Sequence, residues 1–337
     1  MRACTITSGN FNRSSQVNKQ RGVCSRVIAL YWVWRIGMFL VGLAPRRLSL
    51  ATAGFMGTSA YYLMPLRRRV ARENFAHVLG KPPNDPVVSR VTHRAFRNFA
   101  RLLRDVMLYP SMSIRDLEMR ITIYHGEYFE QALARGKGVI VVSAHFGNMD
   151  LPSALLAHRY APFTLVGETL RPQQLMDLLT RIRKDKKVFL YPYESAPRKI
   201  IEALKRNEMT TFLLDFGVTH HFDITTVPVH FFNTETDFPA GPAQLALLTG
   251  APIIVGHARV LSDGHIEVDV SPPIIMQRTG NRHHDIQTMM QEIARRMEEF
   301  IRAHPEQWYI FRPMWKDSAT AQRKIPSLSK APNSYRN

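Results

Sequence analysis

Cysteine is nearly absent: Cys4 and Cys24 are the only two among 337 residues, and both precede the first apolar segment. They leave no metal-ligand spacing and argue against a disulfide framework, which fits a reducing, cytoplasmic compartment. Acidic residues are scarce too, 27 against 45 Lys and Arg, for a formal net charge of +18. Such a surface suits nucleic acid, an anionic membrane or a phosphorylated substrate, and the charge alone does not choose among them. No helix-turn-helix, zinc or RNA-stacking signature accompanies the arginines, which counts against a nucleic-acid partner. Residues Met1 to Gly22 lack an early apolar stretch, so a cleaved signal peptide is not expected. No Gly-x-Ser-x-Gly elbow occurs, which disfavours a serine nucleophile and an acyl-enzyme.

What is present begins with apolar content. At 45% hydrophobic residues the chain supports a packed core. Residues 1–26 read as a polar arm without order, and 27–112 as a helical, membrane-associating region. From Val27 to Ala44 the sequence turns apolar, interrupted by Arg35 and flanked by Arg26, Arg46 and Arg47. A central arginine costs roughly 2.5–3.5 kcal/mol on insertion scales. The segment is therefore expected to associate with a membrane, as a single anchor or as an interfacial helix; a buried helix of a soluble subdomain is the alternative. A second apolar segment, Leu48 to Leu66, runs into Arg67, Arg68 and Arg69, an arrangement suited to an anionic leaflet. Val87 to Tyr109 has the periodicity of an amphipathic helix.

After Pro110 strands and helices alternate. Strands are expected at Ile121–Tyr124, Val139–Ser143, Phe163–Val166, Val188–Tyr191 and Thr211–Leu214, with helices between them. Ile253–Val260 and His265–Val270 form an expected hairpin across Ser262-Asp263-Gly264. The pattern implies an α/β domain over 113–315, with a mostly parallel central sheet flanked by helices. Residues 316–337, rich in Lys, Ser and Pro, are expected to be a disordered tail.

One stretch carries chemistry: Val139-Ile-Val-Val-Ser143-Ala144-His145-Phe146-Gly147-Asn148-Met149-Asp150. A buried strand ending at a polar turn delivers side chains to the carboxyl edge of a sheet, where open α/β folds keep their sites. A histidine with an acid five positions on also occurs at His125/Glu130 and His230/Glu235, so spacing by itself means little. Only His145 adds a strongly apolar strand, a glycine permitting close approach and an acid in the next turn. Neutral imidazole oriented through Nδ1 by a carboxylate can take a proton from an alcohol attacking a thioester. The carboxylate fixes the tautomer and stabilises the imidazolium that forms.

These residues, with three further blocks, resemble the bacterial lysophospholipid acyltransferase superfamily, in the branch of lipid A late acyltransferases and phosphatidylinositol mannoside acyltransferases. The blocks are Leu214-Asp215 with Val227–Phe232, Phe238–Pro252, and Pro305-Glu306-Gln307-Trp308-Tyr309; Arg67–Arg69 followed by Asn74 adds to them. The likeness covers nearly everything from about Val27 to Trp315. It implies a glycerolphosphate-acyltransferase-like fold and transfer of a fatty acyl chain to a hydroxyl of a membrane glycolipid or lysophospholipid. The donor is an acyl thioester, on acyl carrier protein or coenzyme A, as co-substrate; no separate cofactor and no metal are implied. It also implies a place at the cytoplasmic face of the inner membrane, membrane-associated or single-pass.

By the same resemblance His145 is the base and Asp150 its partner, and Arg171 binds a headgroup. Asp215 is a second acid at the same sheet edge, orienting His145 or the acceptor, or merely capping a strand. Gly147 and Asn148 belong to the substrate-binding turn, and the amides near Gly241 would face donor phosphates or the oxyanion. Asp150 stands where lipid A enzymes usually carry glutamate, aspartate being typical of the mannoside side. Met149 replaces a usual tryptophan, and Gly217 stands where a second acid often follows Asp215. These departures bear on the acceptor more than on acyl transfer. A lipid or thioester hydrolase using the same pair, and a non-catalytic basic membrane- or nucleic-acid-binding protein, are the competing readings.

Overall fold

The computed structural model describes residues 31–167, 173–192, 196–215, 217 and 225–315. Arg171, the polar arm and the Lys316 tail lie outside them.

Four helices come first. The described part of α1 covers 31–43; α2 is Arg46–Leu63, α3 Pro65–Leu79 and α4 Pro86–Leu108. The apolar segment expected over Leu48–Leu66 is split at Met64, because Pro65 has no amide to continue the ladder and opens α3 instead. The Asp85 carboxylate accepts the Val87 amide, and Pro86 supplies the first residue of α4. Among the described residues no helix is long and apolar enough to cross a membrane. Instead α1 and α2 hold out large apolar side chains, among them Trp32, Phe39, Leu43, Phe55 and Leu63, the last 79% exposed. The arginines after α2 are largely engaged with the protein. Arg67 donates to the Phe311 carbonyl, Arg68 lies over the Tyr61 ring, and Arg69 pairs with Glu73 on the next turn.

The α/β part continues in the expected alternation. Helix α5 (Ile114–Arg120) leads into β1 (Ile121–Tyr124); α6 (Glu127–Leu133), β2 (Val139–Ser143), α7 (Asp150–Arg159) and β3 (Phe163–Gly167) come next. Then come α8 (Gln173–Lys184), β4 (Val188–Pro192), α9 (Ala196–Lys205) and β5 (Met209–Leu213). The chain closes with β6 (Thr226–Phe231), β7 (Thr234–Pro239), α10 (Gly241–Thr249), β8 (Ile253–Val260), β9 (Ile266–Val270) and α11 (Arg282–Ala303).

Seven strands form one sheet in the order β1-β9-β8-β2-β5-β3-β4, and β6 pairs with β7 in a separate ribbon. Strands β8, β2, β5, β3 and β4 run parallel; the β8–β9 hairpin turns the edge, so β9 and β1 run the other way. The unanticipated strand is β7. Its Thr-Glu-Thr-Asp opening hides it from a hydrophobic pattern, yet it pairs with β6 over six positions.

All five residues of β2 are buried, as a central parallel strand covered on both faces requires. Ile140 and Val142 point into the core shared with α3, α4, α10 and α11. Val139 and Val141 point into the opposite core, with Leu151, Leu155 and Phe129. Each apolar side chain of this kind stabilises by about 1.5–3 kcal/mol when fully buried. Strand β2 is thereby fixed at the centre of the sheet, and the turn beyond Ser143 is presented at its carboxyl edge.

Candidate active site

His145 lies two positions past the end of β2, in a turn pinned on every side. Its own amide donates to both carboxylate oxygens of Asp215, at 3.0 and 2.9 Å, and its Nδ1 lies 2.9 Å from Asp215 Oδ1. The His145 carbonyl accepts the Tyr309 amide at 2.7 Å, and the Gly147 amide donates to the Gln307 carbonyl at 2.8 Å. Gly147 has φ of 57°, and a Cβ there would fall 1.7 Å from the Ala258 carbonyl oxygen. Only glycine fits, on both conformational and steric grounds.

Asp215 lies just past β5, the strand beside β2. Its side chain is fully buried, whereas that of His145 is 48% exposed. Burial pushes this carboxyl up, but the imidazole, the two His145 donors and the Trp308 indole together hold it below the usual carboxylate range. The indole Nε1 donates to Oδ2 at 2.8 Å. A carboxylate kept ionised can only accept, so His145 Nδ1 carries the proton and Nε2 is left as the basic nitrogen. The result is an exposed base backed by a buried, fully bonded anion.

Asp150 faces elsewhere. As the first residue of α7 it takes both Nε and Nη2 of Arg183 from α8 on its Oδ1, at 3.1 and 2.6 Å. The contact at Nδ1 expected of Asp150 is made by Asp215. The physical reason is the turn: the amide and ring of His145 both aim at the end of β5, while α7 sets off toward α8. Arg183 also donates to the Leu179 carbonyl and lies by the Tyr109 ring, so the pair ties α7, α8 and the end of α4 together.

The other expected site residues have internal duties. Asn148 accepts the Leu151 amide, donates from Nδ2 to Asp105 at 3.2 Å, and gives its own amide to the Ala258 carbonyl. It is 1% exposed. Gly241 opens α10 with an ordinary conformation, its Cα side facing Phe212 of β5. Of the look-alike histidines, His125 binds Asp269 rather than Glu130, and the His230 backbone exchanges hydrogen bonds with Gln291. A cleft of about 650 Å³ lies between β8, β9 and α11, lined by His125, His257, Asp269 and Arg296, and His145 is not among its walls. Among the described residues no cluster of His, Cys, Asp or Glu could hold a metal ion.

Sequence reasoning missed Trp308, Gln307, Arg183 and Asp105. Trp308 and Gln307 sit in the Pro305–Tyr309 block. Gln307 clamps β8 by a reciprocal pair with the Val260 amide and carbonyl, at 2.8 and 2.9 Å. Trp308 is fully buried among Phe75, Phe231, Phe232 and Trp315. Asn74 of α3 holds that segment from behind, donating to the carbonyls of Ile310 and Arg312 and accepting the Met314 amide.

Residues 18–317 match the family model for bacterial lipid A biosynthesis acyltransferases. A phosphatidylinositol mannoside acyltransferase of Mycolicibacterium smegmatis is 27% identical over 258 residues, covering 75% of this chain and 81% of that protein. One of Mycobacterium tuberculosis (strain CDC 1551 / Oshkosh) is 28% identical over 268 residues, 77% of this chain and 80% of that protein.

Proposed function

The chain belongs to the bacterial lipid A biosynthesis acyltransferase family and is an O-acyltransferase, and from that premise we propose that it moves a fatty acyl chain from an acyl thioester to a glycolipid hydroxyl. The observation that carries the mechanism is the His145–Asp215 contact, with its exposed imidazole and buried carboxylate.

His145 Nε2 takes the proton of the acceptor hydroxyl as its oxygen attacks the thioester carbonyl carbon. The carbonyl oxygen becomes an oxyanion. Asp215 remains ionised and stabilises the imidazolium through Nδ1–H. As the oxyanion collapses the C–S bond breaks, and the imidazolium returns its proton to the departing thiolate. The ester oxygen now holds the acyl group, the thiol leaves, and His145 is neutral again. The mannoside acyltransferases among the relatives favour a phosphatidylinositol mannoside-type acceptor. Aspartate at position 150 is in keeping with that side of the family. The donor is the acyl thioester of acyl carrier protein or of coenzyme A. The apolar side chains exposed on α1 and α2 would rest in a membrane surface, which brings the lipid acceptor to the sheet edge.

Mass spectrometry of total lipids from cells with and without the protein tests this reading. A glycolipid heavier by one acyl group, lost with His145→Ala, is the expected result. An unchanged lipid profile contradicts transfer, and free fatty acid in place of acylated lipid would identify a hydrolase.

A further inference from the structure

Helix α4 turns three arginines toward α2, at Arg97, Arg101 and Arg104, and treats them differently. Arg104 is neutralised: its Nη1 lies 2.6 Å from Asp105 Oδ1, and its Nε donates to Ser49 of α2. Arg97 and Arg101 carry no ion pair with any described residue. The Nε of each is buried without a hydrogen-bond partner among the described residues. A buried N–H of a cation left unbonded is costly, and two such cations one helical turn apart repel each other as well.

The two forks share one space. A Cβ built on Gly54 of α2 would lie 3.6 and 3.7 Å from Nη2 and Nε of Arg97, and 3.9 Å from Nη2 of Arg101. One turn on, Gly57 packs directly on the backbone of α4, where any Cβ would sit 2.6 Å from the Phe96 carbonyl and from Arg97 Cα. The bare glycine face thus sets the helices close and leaves the guanidiniums between them. Among the described residues nothing nearby neutralises the pair. Burial holds the Tyr309 phenol far above its usual range, so it stays uncharged, and Asp105 already serves Arg104, Asn148 and Arg120. Burial first, and the Arg97 charge second, hold the Arg101 guanidinium below its usual range. The Arg97 charge also contributes to lowering the neighbouring His93, after burial.

We propose that Arg97 and Arg101 form a binding seat for the phosphate group of an anionic ester. Two forks presented to one space match the oxygens of a tetrahedral phosphate, and an anion there would satisfy the buried donors and remove the repulsion together. Exposed Phe55 and Met56 on the same α2 turns flank the seat with apolar surface, which suits a phosphate carried on a lipid. Asp105 links Arg104 of the same helix to Asn148 in the His145 turn, so α4 carries both the seat and a contact to the site. Phosphate binding here does not depend on acyl transfer, and its failure leaves that reading standing.

Calorimetric titration of the full-length protein with soluble dihexanoyl phosphatidic acid tests the seat, with dihexanoylglycerol and inorganic phosphate as competitors. The expected result is binding that weakens about tenfold or more in Arg97→Gln and in Arg101→Gln, and does not change in Arg94→Gln, an exposed arginine of the same helix. Dihexanoylglycerol should not compete. Competition by inorganic phosphate identifies a seat for free phosphate, and phosphatidic acid binding that inorganic phosphate does not displace identifies a seat for a lipid headgroup. Thermal unfolding distinguishes a seat from a strut. Without ligand Arg101→Gln should melt at or above the wild-type midpoint, because repulsion is relieved, and it should lose the rise that phosphatidic acid gives the wild type. Equal affinity in wild type and both variants, or a lowered midpoint in ligand-free Arg101→Gln with ligand binding intact, would overturn the proposal.

Discussion

The imidazole Nδ1 of His145 lies 2.9 Å from Oδ1 of Asp215, 70 positions downstream, while the carboxylate of Asp150 in the very next helix holds Arg183 at 2.6 Å. Two acids at one sheet edge therefore have separate work: Asp215 backs the base, and Asp150 joins α7 to α8.

Removing the Asp150–Arg183 bond should cost stability first. The Arg183 side chain is only 10% exposed, so Asp150→Asn leaves a nearly buried cation without its counterion. A loss of about 1–3 kcal/mol is expected. Arg183→Gln should cost a similar amount, and the double variant less than the sum of the two. Urea unfolding of the four proteins measures the coupling; strict additivity would mean that the contact contributes nothing.

Trp308→Phe keeps the aromatic packing and deletes one donor to Asp215. The lost hydrogen bond runs to a buried carboxylate, worth about 1.5–3 kcal/mol. Both the unfolding midpoint and kcat should fall, with KM for the acceptor little changed. A variant with wild-type kcat would separate the indole from the function of Asp215.

Much of the fold is legible in the sequence, and the site residues missed are those fixed by contacts far apart in the chain. Strand β2, its turn and the need for glycine at position 147 come from an apolar run meeting His-Phe-Gly-Asn. The identity of the carboxylate at Nδ1 does not, because nearness in sequence is a poor guide once a parallel sheet sets β5 beside β2. Trp308 is visible only as part of the Pro305–Tyr309 block, since its donor role depends on where Asn74 and Gln307 fasten the C-terminal segment. Strand β7 is hidden by its polar opening.

Gly147→Ala should fold poorly or not at all. Its φ of 57° and the Ala258 carbonyl 1.7 Å from the added methyl leave no room without moving β8 or the His145 turn. Soluble yield and thermal unfolding check this, and a stable variant with normal activity would show that the turn has slack.

Stability should rise with pH between about 4 and 6.5. Burial, chiefly, lowers His257 to about 4, so in that window the unfolded chain binds the proton and the folded chain does not. Acidification therefore favours unfolding, by up to about 3 kcal/mol across the window. Asp215 acts in the same direction at lower pH, because its folded value lies below its unfolded one and its contribution fades as pH falls through the folded value. His257→Gln should flatten the midpoint-versus-pH curve between 4 and 6.5 and leave the more acidic limb. An unaltered curve would mean that His257 is not buried neutral.

The most direct measurement is the acyl-transfer kcat of Asp215→Asn beside Asp150→Asn, at a temperature where both are folded. Asp215→Asn should lose about 10³–10⁴-fold with acceptor KM nearly unchanged, because the imidazole loses its tautomer and its counterion. Asp150→Asn should keep most of its kcat once folded. The opposite ranking, Asp150→Asn dead and Asp215→Asn active, would contradict the assignment of Asp215 as the carboxylate behind His145.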